Sequence, residues 1–507
     1  MDGDRAERSR LLLVAIVAGI ALGVGFRVYA LAYHTGGFDS DEAVTGLMAR
    51  HLLTDPLDHQ AFYWGTNYGG TLQAIVAALP FAFVGSSVLA LKLTEVLWHA
   101  VAAVLVWRIG IRLIDRRAGI VAAIVVWVWP ALTVQWSTKA RGFYGALEVL
   151  GLVLLLCALR IADRPDSRMD WLAAGAAAGL GWWTNPQIVY LAVPAGLWLV
   201  IRNRRALAEA FRSRAWVWAV PSAVVGASPW LYWNLQHQWI SLRGGANPGI
   251  NRGEGFAGHF MRIWREGLPV ALGLRKPHEY DWIFTPSVAK ALYLGALAVI
   301  VLSLLIRRRG ALPLAIALVV YPVLHSLGPV GGFTSEGRYF FCLMPLIALA
   351  LARAARTRWA VALLFALLIP STLTGIWSMP RGDSGATSGK FIPRSMTSLI
   401  SSLEAENVDA VFADYWIAYR LTFESRERVI ASGLQTERHV PYGRYVRRSP
   451  APGWVFLEDS VAEAEFLGHL GRMGIGDRTW RAGGFSVHVP AVPVHPENLP
   501  RDRPGTG

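Results

Sequence analysis

Long apolar runs alternate with short charged connections through the first three quarters of this chain. A helix that crosses a bilayer needs about 20 predominantly apolar residues. Runs of that kind fall at 11–33, 88–112, 118–136, 143–162, 170–184, 187–201, 216–234, 287–306, 311–330, 339–355 and 359–378. Two of them, 170–184 and 187–201, are short and divided by Asn185-Pro186, so they read as a helical hairpin or as one broken span. Broken helices are tolerated in a bilayer where protein or a cavity covers the freed backbone groups. One further stretch, 71–84, contains Pro80 and ends at Gly85-Ser86-Ser87.

The loop charges decide whether 71–84 crosses. Basic clusters stand at Arg5/Arg8/Arg10, Arg112/Arg116/Arg117, Arg160/Arg164/Arg168, Arg202/Arg204/Arg205 with Arg212/Arg214, Arg307/Arg308/Arg309 and Arg353/Arg356/Arg358. If 71–84 does not cross, all six lie on the cytoplasmic side; if it does, five of the six lie outside. Cytoplasmic loops are the ones enriched in Lys and Arg. The sequence therefore predicts an interfacial or re-entrant helix at 71–84 and about eleven spans. The N-terminus is expected in the cytoplasm and the C-terminal domain outside a bacterial plasma membrane. MDGDRAERSR followed by an apolar run resembles a signal sequence, but no small-x-small cleavage site follows, so it reads as an uncleaved first span.

After Ile376 the pattern changes. Residues 379–394, with Pro380-Arg381-Gly382-Asp383-Ser384-Gly385, read as a linker. Helical spacing follows at 395–407 and 460–473, and strand patterns at 408–414, 428–431 and 454–457. The expected fold class is an all-α polytopic membrane domain over 1–378 with a small C-terminal extracytoplasmic α/β domain over 395–490. The Pro-rich, charged residues 491–507 read as disordered.

Composition agrees. The chain is 54% hydrophobic and 17% charged with a mean hydropathy of +0.37, against about 25% charged in soluble domains. Its 22 Trp suit membrane–water interfaces. A net charge of +14 would suggest nucleic acid in a soluble protein, but here the cations sit in short loops, so the bilayer is the expected partner and nucleic acid is not. Cys157 and Cys342 fall inside apolar runs and read as packing residues.

Candidate chemistry clusters in the first outer loop. Asp39, Asp41 and Glu42 stand within four residues of one another, directly after the first span. One acid is enough to cap the helix that 42–53 predicts; three also fit a general base or a cation site. Next comes Phe62-Tyr63-Trp64-Gly65-Thr66-Asn67-Tyr68-Gly69-Gly70. It reads equally as an aromatic interfacial belt or as a sugar-binding wall built from Tyr63, Trp64, Asn67 and Tyr68. Lys139 and Arg141 occupy an outer turn against the charge bias, Arg27 lies near the outer end of the first span, and Arg338 opens a late span. Cations in or beside the apolar layer are costly, and phosphate is a natural ligand for them. The loop 235–286 reads as irregular and able to close over a substrate, with His259 and His278 solvated. A transporter or lipid flippase is the competing class: Lys92, Glu95, Glu148 and His325 lie in or beside spans, and Glu95 and His99 form an i,i+4 pair. No internal repeat supports it.

The Asp41-Glu42 pair opening the first outer loop, the non-crossing helix after it, the Lys139-Ala140-Arg141 turn and the Arg338-Tyr339 opening of a late span together resemble the GT-C superfamily. Within it they are most similar to the branch of protein O-mannosyltransferases and lipid A aminoarabinose transferases. The resemblance covers roughly residues 11–375 and stops short of the tail from Asp414-Tyr415-Trp416 onward. It implies a membrane enzyme that moves a sugar from a polyprenyl-phosphate donor to a hydroxyl of a glycan, lipid or protein acceptor, with inversion. Asp41 matches the catalytic acid of the pair and would act as base. Lys139, Arg141, Arg338 and Arg27 would hold the donor phosphate, and Tyr144 and Tyr339 would join the sugar- or acceptor-binding set. Glu42 and Asp39 would orient the base or, with Asp41, hold a divalent cation; no other cofactor is implied.

Overall fold

A bilayer core offers no water to unpaired peptide groups, so apolar runs of this kind form helices, and helix is the dominant element of the chain. The computed structural model describes residues 2–33, 37–56, 60–242, 254–276, 281–306, 310–334, 336–379, 386–387 and 390–499. Among the described residues, six helices are long and apolar enough to cross a membrane: Leu12–Ala32, Val88–Leu113, Tyr144–Asp163, Pro286–Leu305, Gly337–Ala354 and Arg358–Trp377. Leu72–Val84, Pro186–Ile201, Ala215–Gly226 and Ala311–Leu327 are shorter apolar helices.

Two expected spans are broken by proline. The run 118–136 forms Arg116–Val128 and Ala131–Trp136, parted at the cis Trp129-Pro130 bond. The run 216–234 contains Ala219–Gly226 and Ser228–Gln236, the second opening on Pro229. Proline lacks the N–H for an intrahelical bond and its ring clashes with the preceding turn, so it sits at a helix start. The stretch 170–201 resolves into Arg168–Thr184 and Val189–Arg202, with Asn185 accepting from Gln187 N at the break.

The chain divides into two units. The first comprises Met1–Ala32, Asn67–Gln73 and Lys92–Met379. Its helices meet through small residues, as is usual where no hydrophobic force drives association. A Cβ added at Gly175 or Gly179 would lie 2.1 Å from the carbonyl oxygen of Ala219 or Ala223, respectively. Several polar side chains inside this unit are paired. His99 reaches Glu148 of the Tyr144–Asp163 helix at 3.2 Å, so its carboxylate contact comes from another helix. Gln73 bonds both Thr94 and Trp98, and Lys92 donates to the Thr138 carbonyl.

The second unit comprises Tyr33–Thr66, Ala74–Leu91 and Pro380–Gly507. It joins the helix Ser40–Thr54 to a five-stranded sheet in the order Ile430–Gly433, Ala410–Ala413, Gly453–Leu457, Phe485–Pro490, Asp477–Ala482. The first three strands are parallel and the last two antiparallel. The hairpin 477–490 is absent from the sequence reading, although its signal is there. Gly483-Gly484 connects Ala482 to Phe485 with φ of 63° and 87°, and two positive φ values in a two-residue loop match the twist of the flanking strands. The tail is also ordered further than expected. Val494 is buried, and its carbonyl accepts from Trp454 Nε1 at 3.2 Å, which ties 491–499 to the core. Residues 500–507 and, within the linker, 380–385 and 388–389 lie outside the described residues.

Candidate functional site

In the second unit the first-loop acids take separate jobs. Asp39 caps the helix Ser40–Thr54, accepting from Glu42 N at 3.1 Å. Glu42 points into the interior and is fully buried. Asp41 stands in the first turn, where the helix dipole favours a negative charge. Among the described residues no three His, Cys, Asp or Glu side chains are placed to hold a metal ion. The set Asp39, Asp41 and Glu42 is therefore not gathered as a cation site, because capping and burial aim two of the carboxylates elsewhere.

The Asp41 carboxylate receives the hydroxyl of Tyr415, from the first turn of the helix Tyr415–Glu424. Arg438 Nε donates to the same phenol oxygen at 3.4 Å, and its guanidinium lies 5.5 Å from the Tyr63 ring and 5.4 Å from the Tyr415 ring. Tyr63 donates to the Asp41 carbonyl at 2.8 Å. Burial pushes both phenols up, and the Asp41 charge adds to this, so both remain O–H donors. Burial works against the Arg438 charge, but the Tyr415, Tyr63 and Asp41 oxygens around it more than offset this and raise its pKa. The backbone is fixed as well. Ser40 donates to the Tyr415 carbonyl at 2.6 Å, and Tyr415 N donates to Gln435. Gly65, at φ 67°, lets its loop approach Arg438 so closely that a Cβ would stand 2.9 Å from the Arg438 Cα.

A second cluster lies at the other end of the helix Ser40–Thr54. His51 Nε2 and the Tyr442 hydroxyl meet Glu427 at 2.8 and 2.6 Å, and Arg50 reaches its other oxygen at 3.1 Å. Trp64 stacks on His439 with centroids 3.9 Å apart. It is buried there, so it supplies packing and not the open ring face expected of a sugar wall.

The first unit gathers the other candidates. Tyr144 lies within electrostatic reach of Arg338, Tyr339 and Tyr68, and Arg338 within reach of Arg141. Tyr144 and Tyr339 pack edge-on at 6.3 Å. Arg141 lies 6.0 Å from the Trp136 ring, and Arg338 is 3.4 Å from Glu336. Lys139 is buried in the turn before Arg141, and Asn67 is half-buried beside the exposed Tyr68. Arg27 departs from expectation. It is 2% exposed, flat against Trp127 at 3.8 Å, and donates to the carbonyls of Gly23 and Trp127. A guanidinium enclosed in this way is part of the helix packing, not an open phosphate ligand. His259 is buried against the Ser326 carbonyl and not solvated as expected, while Arg243, Asn247, Arg252, His278 and Glu279 lie outside the described residues.

Tyr415 and Arg438 were missed as site residues. They lie more than 370 positions from Asp41 in sequence, and Asp414-Tyr415-Trp416 carried no signal beyond a helix start.

Known proteins share parts of this sequence and its fold. The profile of the dolichyl-phosphate-mannose-protein mannosyltransferase family matches residues 71–233. ArnT of Cupriavidus metallidurans, solved in the apo state, has a similar fold, with a TM-score of 0.61 and 13% identity over 95% of this chain and 98% of that one. Its undecaprenyl-phosphate-bound form gives a TM-score of 0.60 at 14% identity, over 94% of this chain and 97% of that one. The archaeal oligosaccharyltransferase AglB of Archaeoglobus fulgidus, solved with an inhibitory peptide and a dolichol-phosphate, gives 0.52 at 12% identity, over 98% of this chain and 75% of that one. Comparison with curated protein sequences finds no match. The family profile on 71–233 and the fold shared along nearly the whole chain make the protein similar to membrane glycosyltransferases of the ArnT and AglB kind.

Proposed function

We propose that the protein transfers a sugar from a polyprenyl-phosphate donor to an acceptor hydroxyl on the extracytoplasmic face of the membrane, with Asp41 as the general base. The observation that carries this reading is the Asp41 carboxylate itself. It sits at a helix N-terminus, with one oxygen held by Tyr415 and the phenol held in turn by Arg438. A carboxylate has two oxygens and about four acceptor positions, so an acceptor O–H can bond to it alongside the phenol.

In the reaction, the acceptor oxygen attacks the anomeric carbon as its proton passes to Asp41. The bond from that carbon to the phosphate oxygen breaks on the opposite face, which inverts the centre, and polyprenyl phosphate departs. Charge grows on the phosphate, and Arg141 and Arg338 are the cations proposed to receive it. Related proteins supply the donor class: the ArnT and AglB structures hold undecaprenyl phosphate and dolichol-phosphate. The basic loops support an orientation with the N-terminus in the cytoplasm and the tail outside. On this reading residues 1–378 carry the donor, and 395–490 form an extracytoplasmic domain.

Removing the base tests the proposal. Asp41→Asn in membranes supplied with lipid-linked sugar is expected to lose transfer by roughly 10²–10⁴-fold, with insertion and melting temperature unchanged. Transfer at the wild-type rate refutes the assignment.

A further inference from the structure

Resting on the assignment of Asp41 as base, we infer that the C-terminal domain is part of the catalytic apparatus: Tyr415 is a positioning residue for Asp41, and Arg438 holds Tyr415 in place. An isolated aspartate on a helix turn can rotate among several staggered rotamers, and a base must be held close to one geometry for transfer to be fast. The structure supplies that restraint from the tail. The Tyr415 hydroxyl donates to one Asp41 oxygen, and Arg438 Nε donates to the phenol from behind.

Tyr415 is itself fixed at three points. Its carbonyl accepts from Ser40, next to Asp41 in the chain, its N–H is bound by Gln435, and its helix is capped by Asp414 through Trp416 N at 2.8 Å. Arg438 is anchored by its own N–H, which donates to the Tyr419 hydroxyl at 2.5 Å. Tyr63 completes the frame by donating to the Asp41 carbonyl. Side chain and backbone of Asp41 are thus held by separate phenols, one from the tail and one from the first loop. A tail that served only to recruit an acceptor would have no need of a hydrogen bond to this carboxylate.

The same domain contains a tyrosine–aspartate pair at an exposed site for comparison. Tyr445 also donates a phenol O–H to an aspartate, Asp409 Oδ2 at 2.7 Å, on the helix Val440–Arg448. The experiment uses the full chain expressed at matched levels in a strain lacking its own copy. Native product formed in membrane vesicles is followed by glycan mass spectrometry, and undecaprenyl phosphate binding is measured on the same purified variants. Tyr415→Phe is expected to lower the rate of product formation by roughly 10- to 100-fold while undecaprenyl phosphate binding stays within twofold of wild type. Tyr415→His, which keeps an N–H donor, restores part of the rate, Arg438→Lys falls between, and Tyr445→Phe is neutral.

A Tyr415→Phe rate within twofold of wild type overturns the inference. A higher rate also overturns it, since the phenol would then be competing with the acceptor. Equal losses in Tyr415→Phe and Tyr445→Phe, or a loss that tracks a fall in melting temperature, reduce Tyr415 to a stability role. Asp41→Asn is run alongside. If it stays active the base assignment itself fails, whereas an inactive Asp41→Asn with a fully active Tyr415→Phe removes this inference alone.

Discussion

Glu427 ties the helix Ser40–Thr54 to the C-terminal domain, and Glu427→Gln measures the strength of that tie. Burial alone would raise the pKa of this carboxyl. Hydrogen bonds from His51 and Tyr442, the charge of His51 and a hydrogen bond from Arg50 reverse that and bring it from 4.5 to about 2. Its side chain is 23% exposed, so solvent screens the pair only in part, and the gap corresponds to roughly 3 kcal/mol favouring the folded arrangement. A depressed acid pKa fixes the sign: the stabilisation is complete above pH 4.5 and is lost as pH falls towards 2. His439 acts in the same direction. Burial, then the neighbouring His51, lower it from 6.5 to about 4, so its contribution disappears across that interval as acid is added. Hydrogen exchange on the full chain in nanodiscs reads the effect at residues 40–54 and 440–448. Three kcal/mol corresponds to roughly 100-fold faster exchange in Glu427→Gln at pH 7, and the difference between variant and wild type should close as pH drops through 4.5. Exchange within threefold of wild type at pH 7, or a difference that ignores pH, refutes the account.

Other predictions concern the first unit. Gly179→Val sets a side chain against the Ala223 carbonyl, where a Cβ would stand 2.1 Å away, and should lower the melting temperature; overpacking costs roughly 1–3 kcal/mol. Gly25→Ala, with nothing within 4 Å, is the neutral control in the same thermal melt. Arg141→Ala and Arg338→Ala should each weaken undecaprenyl phosphate binding about tenfold, the scale of one charge-assisted hydrogen bond. Arg27→Ala should instead appear in the melt, because its guanidinium is enclosed against Trp127. Unchanged binding in both the Arg141 and Arg338 variants removes them from the donor site.

The sequence made some of this legible and hid the rest for physical reasons. Hydrophobic length marked the helices well, since a bilayer imposes it, but did not show where Pro130 and Pro229 break two of them. The Asp39–Glu42 cluster was visible as chemistry. Its division of labour was not, because capping and burial depend on the direction in which each side chain leaves the helix. Trp64 and Arg27 looked like ligand contacts because exposure cannot be read from residue type; both are enclosed. Tyr415 and Arg438 illustrate the main blind spot, since a contact across more than 370 residues leaves no periodicity to detect.

That separation also orders events during synthesis. Asp41 and Tyr415 are 374 residues apart, and at 5–20 residues per second the ribosome needs on the order of 20 to 75 s to make the second after the first. Throughout that interval the carboxylate is already in place without its phenol. A chain cut short before the tail would carry its membrane helices yet leave the Asp41 carboxylate without the Tyr415 hydrogen bond. If Asp41 is the base proposed above, such copies would be expected to transfer sugar more slowly than the full chain.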